Sequence, residues 1–176
     1  MADNDFFIDR LATPIGELVV IADGDGALRT IDWTDHEARM KQLLDRYYGQ
    51  PGKGGRYTLT PKRDPGGLTS AMRRYFKGEI GVLKDLPVAI SGTAFQTNVW
   101  KALRRIRDGT TISYAELAHR IGKPKAVRAA GLANGQNPIS IVVPCHRVIG
   151  SNGSLTGYGG GLERKQWLLA HEGVTR

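Results

Sequence analysis

Near residue 91 the spacing of apolar residues changes period, and that change limits the possible folds more than any other feature of the chain. Before it, apolar residues sit in short, strand-like runs. After it they recur every three or four positions, the repeat of a helix buried on one face. Leu18-Val19-Val20-Ile21 and Leu28-Arg29-Thr30-Ile31 flank Asp23-Gly24-Asp25-Gly26, and this arrangement predicts a β-hairpin. The next stretch predicts a helix over 36–48, with Met40, Leu43, Leu44 and Tyr47 on one stripe. Residues 49–67 combine Gly, Pro, Lys and Arg with few apolar anchors and read as a long, mobile surface loop. A short helix over 68–77 precedes Leu86-Pro87-Val88-Ala89-Ile90. The expectation is an α/β domain over 1–86 built on a small antiparallel sheet with helices, a linker at 87–91, and a mostly α domain over 92–176.

The second half carries explicit helix starts. Thr93-Ala94-Phe95-Gln96 fits a capping box, in which the threonine hydroxyl accepts from the Gln96 backbone N–H and the glutamine reaches back. Phe95, Val99, Leu103 and Ile106 follow at helical spacing until Gly109 supplies a stop. Ser113-Tyr114-Ala115-Glu116 reads as a second box, opening a helix with Leu117, Ala118 and Ile121 inward and Gly122 at its end. After Lys123-Pro124, a helix over 125–134 bears Ala126, Ala129, Ala130, Gly131 and Ala133, small enough to let another surface come close. Short helices joined by a tight turn outline a helix-turn-helix, a pattern that any helical hairpin shares.

Charge narrows the partners. The 176 residues carry a net charge of +8, which favours an anionic partner, nucleic acid first among them. Lys101, Arg104, Arg105 and Lys125 are candidate phosphate contacts, although any exposed helix face shows such residues. Lys53, Arg56, Lys62 and Arg63 in the 49–67 loop read as solvated side chains that could also meet DNA. No run of about 18 apolar residues occurs, so no membrane span is expected. The first ten residues are acidic and lack a signal peptide's apolar stretch, so the expected location is cytoplasmic.

Chemistry concentrates at Pro144-Cys145-His146-Arg147. A lone cysteine is most often a small buried hydrophobe, and one cysteine excludes both an internal disulfide and a cysteine-cluster metal site. The neighbours argue for reactivity. A free thiol is only a few per cent ionised at neutral pH, so a base or a positive field beside it favours a nucleophilic role. His146 and Arg147 bring both kinds of group, though adjacent residues need not aim their side chains together.

Pro144-Cys145-His146-Arg147-Val148 resembles the active-site motif of the O6-alkylguanine-DNA alkyltransferase family. The resemblance runs across 92–173. It takes in Gly92-Thr93-Ala94-Phe95-Gln96, Val99-Trp100, Ile112-Ser113-Tyr114, Lys123-Pro124-Lys125-Ala126-Val127-Arg128-Ala129, Asn137-Pro138, Gly157-Tyr158 and Trp167-Leu168-Leu169-Ala170-His171-Glu172-Gly173, in the family's order and spacing. It implies a ribonuclease-H-like α/β fold for the first domain and a helix-turn-helix in the second.

The resemblance further implies direct-reversal DNA repair. Cys145 would accept an alkyl group from O6 of guanine, and also from O4 of thymine, in double-stranded DNA. His146 would act as general base through a water, Glu172 would orient it, Tyr114 would donate a proton to the guanine ring, and Asn137 would brace the turn before the active-site segment. The Cys145 and Val148 carbonyls would take the exocyclic amine, with Tyr158, Gly159 and Gly160 around the base. Binding would be through the minor groove with the damaged base flipped out. Arg128 would fill the gap it leaves, and Thr93, Gln96, Lys125, Ala126, Ala129, Gly131 and Ser151 would complete the DNA contact.

No cofactor and no metal are implied, because the cysteine is the acceptor and is used once. The implied protein is a monomer that loads on DNA either singly or cooperatively. Non-reacting relatives replace the cysteine, and Cys145 argues against that class. A helix-turn-helix transcription factor would leave the Pro-Cys-His-Arg segment without a purpose, and a cysteine hydrolase would need no DNA. One departure stands out: Gly159 occupies a place where many members carry Ser or Ala, and altered tolerance for bulky alkyl groups is expected from it.

Overall fold

A computed structural model describes residues 5–49 and 57–174. The chain divides into two compact units, Met1–Ser91 and Gly92–Arg176. Lys53 and Arg56 lie outside the described residues. Among the described residues no helix is long and apolar enough to cross a membrane.

The first unit is a four-stranded sheet of order β3-β2-β1-β4. Strands β1 (Asp5–Thr13), β2 (Gly16–Ala22) and β3 (Leu28–Trp33) pair antiparallel. Within the predicted hairpin, Asp23 accepts backbone N–H bonds from Asp25 and Ala27 at 3.0 and 2.9 Å, which closes the turn. All five residues from Leu18 to Ala22 are fully buried, as in a strand covered on both faces. Helix α1 (Glu37–Tyr48) buries Met40, Leu43, Leu44 and Tyr48, so the stripe runs through Tyr48 rather than the half-buried Tyr47. It meets Phe6, Val19, Ile21 and Tyr57 in one cluster, with Phe6 edge-on to Tyr48 at 4.9 Å. Helix α2 (Leu68–Phe76) contacts β1 and β2.

Two expectations for this unit need correction. The described part of the 49–67 segment is not a free loop: Tyr57 is buried, and β4 (Thr58–Pro61) pairs parallel to β1, which makes the sheet mixed rather than antiparallel. All four β4 residues are exposed, so no apolar alternation marked the strand, and Pro61 suits its edge position. The supposed linker is also tied in, since Leu28 N donates to Pro87 O and Ala89 N to Leu28 O.

The second unit is built from four helices, α3 (Ala94–Arg104), α4 (Tyr114–Arg120), α5 (Val127–Gly135) and α6 (Leu162–His171). A two-stranded parallel pair, β5 (Ile112–Ser113) and β6 (Val148–Ile149), accompanies them. The Thr93 capping box is complete, and Val99, Leu103 and Ile106 are buried. The Ser113 box is only half formed. Its hydroxyl accepts from Glu116 N, but the Glu116 carboxylate turns outward to Arg120 at 2.9 Å. Gly122 ends α4 in left-handed backbone, φ 73°. Helix α5 begins at Val127, two residues later than expected, because Lys123 O first accepts from Ala126 N in a turn.

Charge is divided unevenly along the sequence. Residues 1–91 hold thirteen Lys/Arg and thirteen Asp/Glu, whereas residues 92–176 hold twelve against four. The whole net charge of +8 therefore belongs to the second unit's sequence.

Candidate active site

The segment from Asn137 to Val148 is buried throughout and is held by main-chain and side-chain bonds rather than by a regular element. Ile141 sits at φ 74°, a region costly for a β-branched residue. Asn137 holds this bend from both sides, its Nδ2 donating to Val143 O at 2.7 Å and its Oδ1 accepting from Ile139 N at 2.9 Å. The chain then enters a single 3-10 turn, Cys145–Arg147, with Pro144 before it. Cys145 is 5% exposed.

The next two residues, His146 and Arg147, enter a buried ionic cluster with Glu172. His146 Nε2 meets Glu172 Oε1 at 2.8 Å. With a carboxylate there, Nε2 carries the proton in the neutral ring and Nδ1 carries the lone pair. That Nδ1 is buried and makes no hydrogen bond. Arg147 does not extend its positive charge to the sulfur's surroundings alone. Its Nε and Nη2 bind Glu172 Oε2 and Oε1 at 2.8 and 3.0 Å, and its Nη1 donates to Ile106 O at 2.8 Å. Burial by itself would raise the Glu172 carboxyl pKa, but His146 and Arg147 outweigh it and hold the group well below the usual carboxylate range.

A cleft of about 600 Å³ is lined by Tyr114, Arg128, Gly131 and the 156–159 loop, with Val127 and Gly135. Tyr114 opens α4, and its hydroxyl donates to Thr156 O at 3.0 Å. Burial pushes the Tyr114 hydroxyl pKa up, and nearby Cys145 adds to the rise, which brings the thiol within electrostatic reach of the cleft. Gly131 faces the Tyr114 ring, and a Cβ there would make ordinary van der Waals contact with its Cδ1 at 3.5 Å. Tyr158 and Gly159 belong to the lining, while Gly160 is buried and its carbonyl accepts from Arg164 at 3.2 Å.

The sequence-derived residues thus fall into groups. Cys145, His146, Glu172 and Asn137 are gathered in the buried cluster, and Tyr114, Arg128, Gly131, Tyr158 and Gly159 around the cleft. Lys125, Ala129, Thr93 and Ser151 are exposed and Ala126 is half-buried before α5. Gln96 departs from expectation. It is buried, its Oε1 accepts from Thr93 N and its Nε2 donates to Gln136 at 2.8 Å, so the helix cap uses the amide assigned to DNA. The Val148 carbonyl already accepts from Lys165 Nζ at 2.6 Å.

Three residues escaped sequence reasoning. Lys165 lies in a helical stretch where a lysine normally reads as surface. Arg147 read as a field on the sulfur rather than as the Glu172 clamp. Leu132, 64% exposed one turn beyond Arg128 on α5, broke the small-residue pattern and was the signal that could have been used.

The chain is similar in sequence and in fold to proteins of one family. The chain matches the family profile "6-O-methylguanine DNA methyltransferase, DNA binding domain" over residues 94–174. The methylated-DNA–protein-cysteine methyltransferase of Shigella flexneri is 50% identical over 165 residues, 94% of each chain. The solved structure of Mycobacterium tuberculosis O6-methylguanine methyltransferase superposes with a TM-score of 0.75 at 40% identity, covering 96% of this chain and 93% of that one. Mycobacterium tuberculosis OGT in complex with DNA gives the same TM-score of 0.75 at 40% identity, over 96% and 92%.

Proposed function

The chain belongs to the methylated-DNA–protein-cysteine methyltransferase family, and we propose that Cys145 is the residue that removes the alkyl group from O6 of guanine, and from O4 of thymine, in duplex DNA. The observation that carries this reading is an unbonded basic nitrogen on the residue that directly follows the one cysteine. His146 Nδ1 is buried and unbonded while its other nitrogen is fixed on Glu172.

His146 takes the thiol proton through one water, and Sγ attacks the alkyl carbon in line with the breaking carbon–O6 bond. The electron pair of that bond passes to the guanine ring, whose nitrogen receives the Tyr114 proton. The proton held on His146 returns to the Tyr114 oxygen through solvent, leaving a thioether and unmodified guanine. A thioether does not hydrolyse, so each molecule acts once and no cofactor takes part.

Within duplex DNA the reacting carbon is stacked, so the base must leave the helix to meet a buried sulfur. Arg128 on the cleft wall is suited to fill the gap from the minor groove, with Ala126, Ala129 and Gly131 permitting close approach. Exposed Leu132, on the same side of α5 as Arg128, adds an apolar surface for the groove. Lys125, Thr93 and Ser151 supply backbone contacts, and in this reading the protein acts as a cytoplasmic monomer.

The direct test is intact mass spectrometry after incubation with an O6-methylguanine duplex. One methyl adduct per molecule, localised to Cys145, is expected. Repeated turnover, or binding without an adduct, sinks the assignment.

A basic cleft of about 250 Å³ between α3 and α4, lined by Asn98, Lys101, Arg105 and Arg120, supports a phosphate contact away from the base. Replacing Lys101 and Arg105 together by glutamine is expected to flatten the slope of log K against log salt by about 2. An unchanged slope removes that cleft from the interface.

A further inference from the structure

Lys165 is on α6 with no exposed surface, and the alkyl-transfer steps above do not use it. Its Nζ donates to Val148 O at 2.6 Å and to Thr156 O at 2.9 Å. Thr156 O is the same oxygen that accepts from the Tyr114 hydroxyl at 3.0 Å. One buried side chain therefore joins strand β6, the cleft loop and the proton donor. Burying an amino group is costly unless its hydrogens are satisfied, and these two carbonyls take two of its three.

We infer that Lys165 is a positioning residue that sets selectivity for the 2-amino group of guanine, by aiming the Val148 carbonyl. This rests on the proposed reading that the Cys145 and Val148 carbonyls accept from that amine. A carbonyl oxygen has two acceptor sites, so a bond from Lys165 leaves one for a ligand and fixes the direction in which it points. Strand β6 is only two residues long and supplies little ladder of its own to hold that direction. The Cys145 carbonyl is held by its own turn, where it accepts from the Val148 backbone N–H, and Asn134 Nδ2 stands farther off at 3.4 Å, beyond the usual range for a strong bond. Selectivity therefore depends on Lys165 far more than on Asn134.

The experiment compares single-turnover rates on two duplexes that differ only in the 2-amino group, one with O6-methylguanine and one with O6-methylhypoxanthine. The parent protein is expected to prefer the guanine by about tenfold, the order of one hydrogen bond. Lys165→Met, which keeps the stem and removes both donors, brings the ratio close to one, whereas Asn134→Leu keeps most of it. Lys165→Gln, shorter and able to reach at most one carbonyl, gives an intermediate ratio and serves if the methionine variant does not fold. A purely structural role would lower both rates together and leave the ratio alone. A parent that discriminates while its Lys165 variants discriminate equally overturns the inference. A parent that does not discriminate overturns the carbonyl reading, and the inference with it.

Discussion

Replacing Glu172 by alanine is expected to cost about 3–5 kcal/mol of folding stability, the usual result of stranding a buried charge. It is also expected to slow alkyl transfer by about a hundredfold or more. The carboxylate is the common partner of His146 and Arg147, and all three side chains are nearly or wholly inaccessible. Without it the Arg147 guanidinium keeps Ile106 O and the half-buried Asp108, but loses both of its contacts to the buried Glu172 carboxylate. His146 loses the bond that keeps its proton on Nε2 and its lone pair on Nδ1. Glu172→Gln separates the two consequences, because an amide can still bond but cannot offset the arginine. Urea unfolding and single-turnover rates on the same preparations check both, and an alanine variant as stable as the parent would remove the cluster from the account.

The same carboxyl fixes the direction of the pH dependence. Its folded pKa lies below the ordinary value, so the folded state binds its proton less readily than the unfolded chain does. The resulting stability is present in full above the unfolded pKa of about 4.3 and is lost as the pH falls from there toward the folded value. Acid unfolding of the parent should therefore begin at higher stability than that of Glu172→Gln, and the two curves should converge at low pH.

Tyr114→Phe has the second large expected effect, a fall of about 10²–10⁴ in the single-turnover rate, with DNA affinity nearly unchanged. The hydroxyl is bonded to Thr156 O in the free protein, so donation to guanine requires it to exchange a main-chain acceptor for the base. Phenylalanine keeps the ring against Gly131 and removes only the proton. Rapid-quench measurement on an O6-methylguanine duplex checks this, and a variant within threefold of the parent, a gap of about 0.65 kcal/mol, would dismiss Tyr114 as the acid.

Much of this arrangement was legible in the chain. The hairpin around Asp23 and the Thr93 box are local events, set by a few neighbouring residues, and both formed as their sequences dictate. Strand β4 is different. Its exposed Thr-Leu-Thr-Pro sequence has no pattern of its own, and it becomes a strand only because β1, some fifty residues earlier, offers an edge. Lys165 and Arg147 were opaque for a related reason. A charged residue reads as surface until the fold brings carbonyls or a carboxylate from other segments to satisfy it, as Val148, Thr156 and Glu172 do. The role of Gln96 was misread because one amide could serve either a helix start or a ligand, and the helix start took it.

The burial of Cys145 has a further meaning for a protein that acts once. A reagent of that kind needs shelf life more than it needs speed of recovery, because every molecule oxidised while idle is lost to repair. At 5% exposure the sulfur is poorly accessible to dissolved peroxide. In the proposed mechanism an extruded base, carried in on its own strand, is the visitor that must reach it. Storage and use are thus served by one wall of protein, and the DNA itself supplies the means of opening the package.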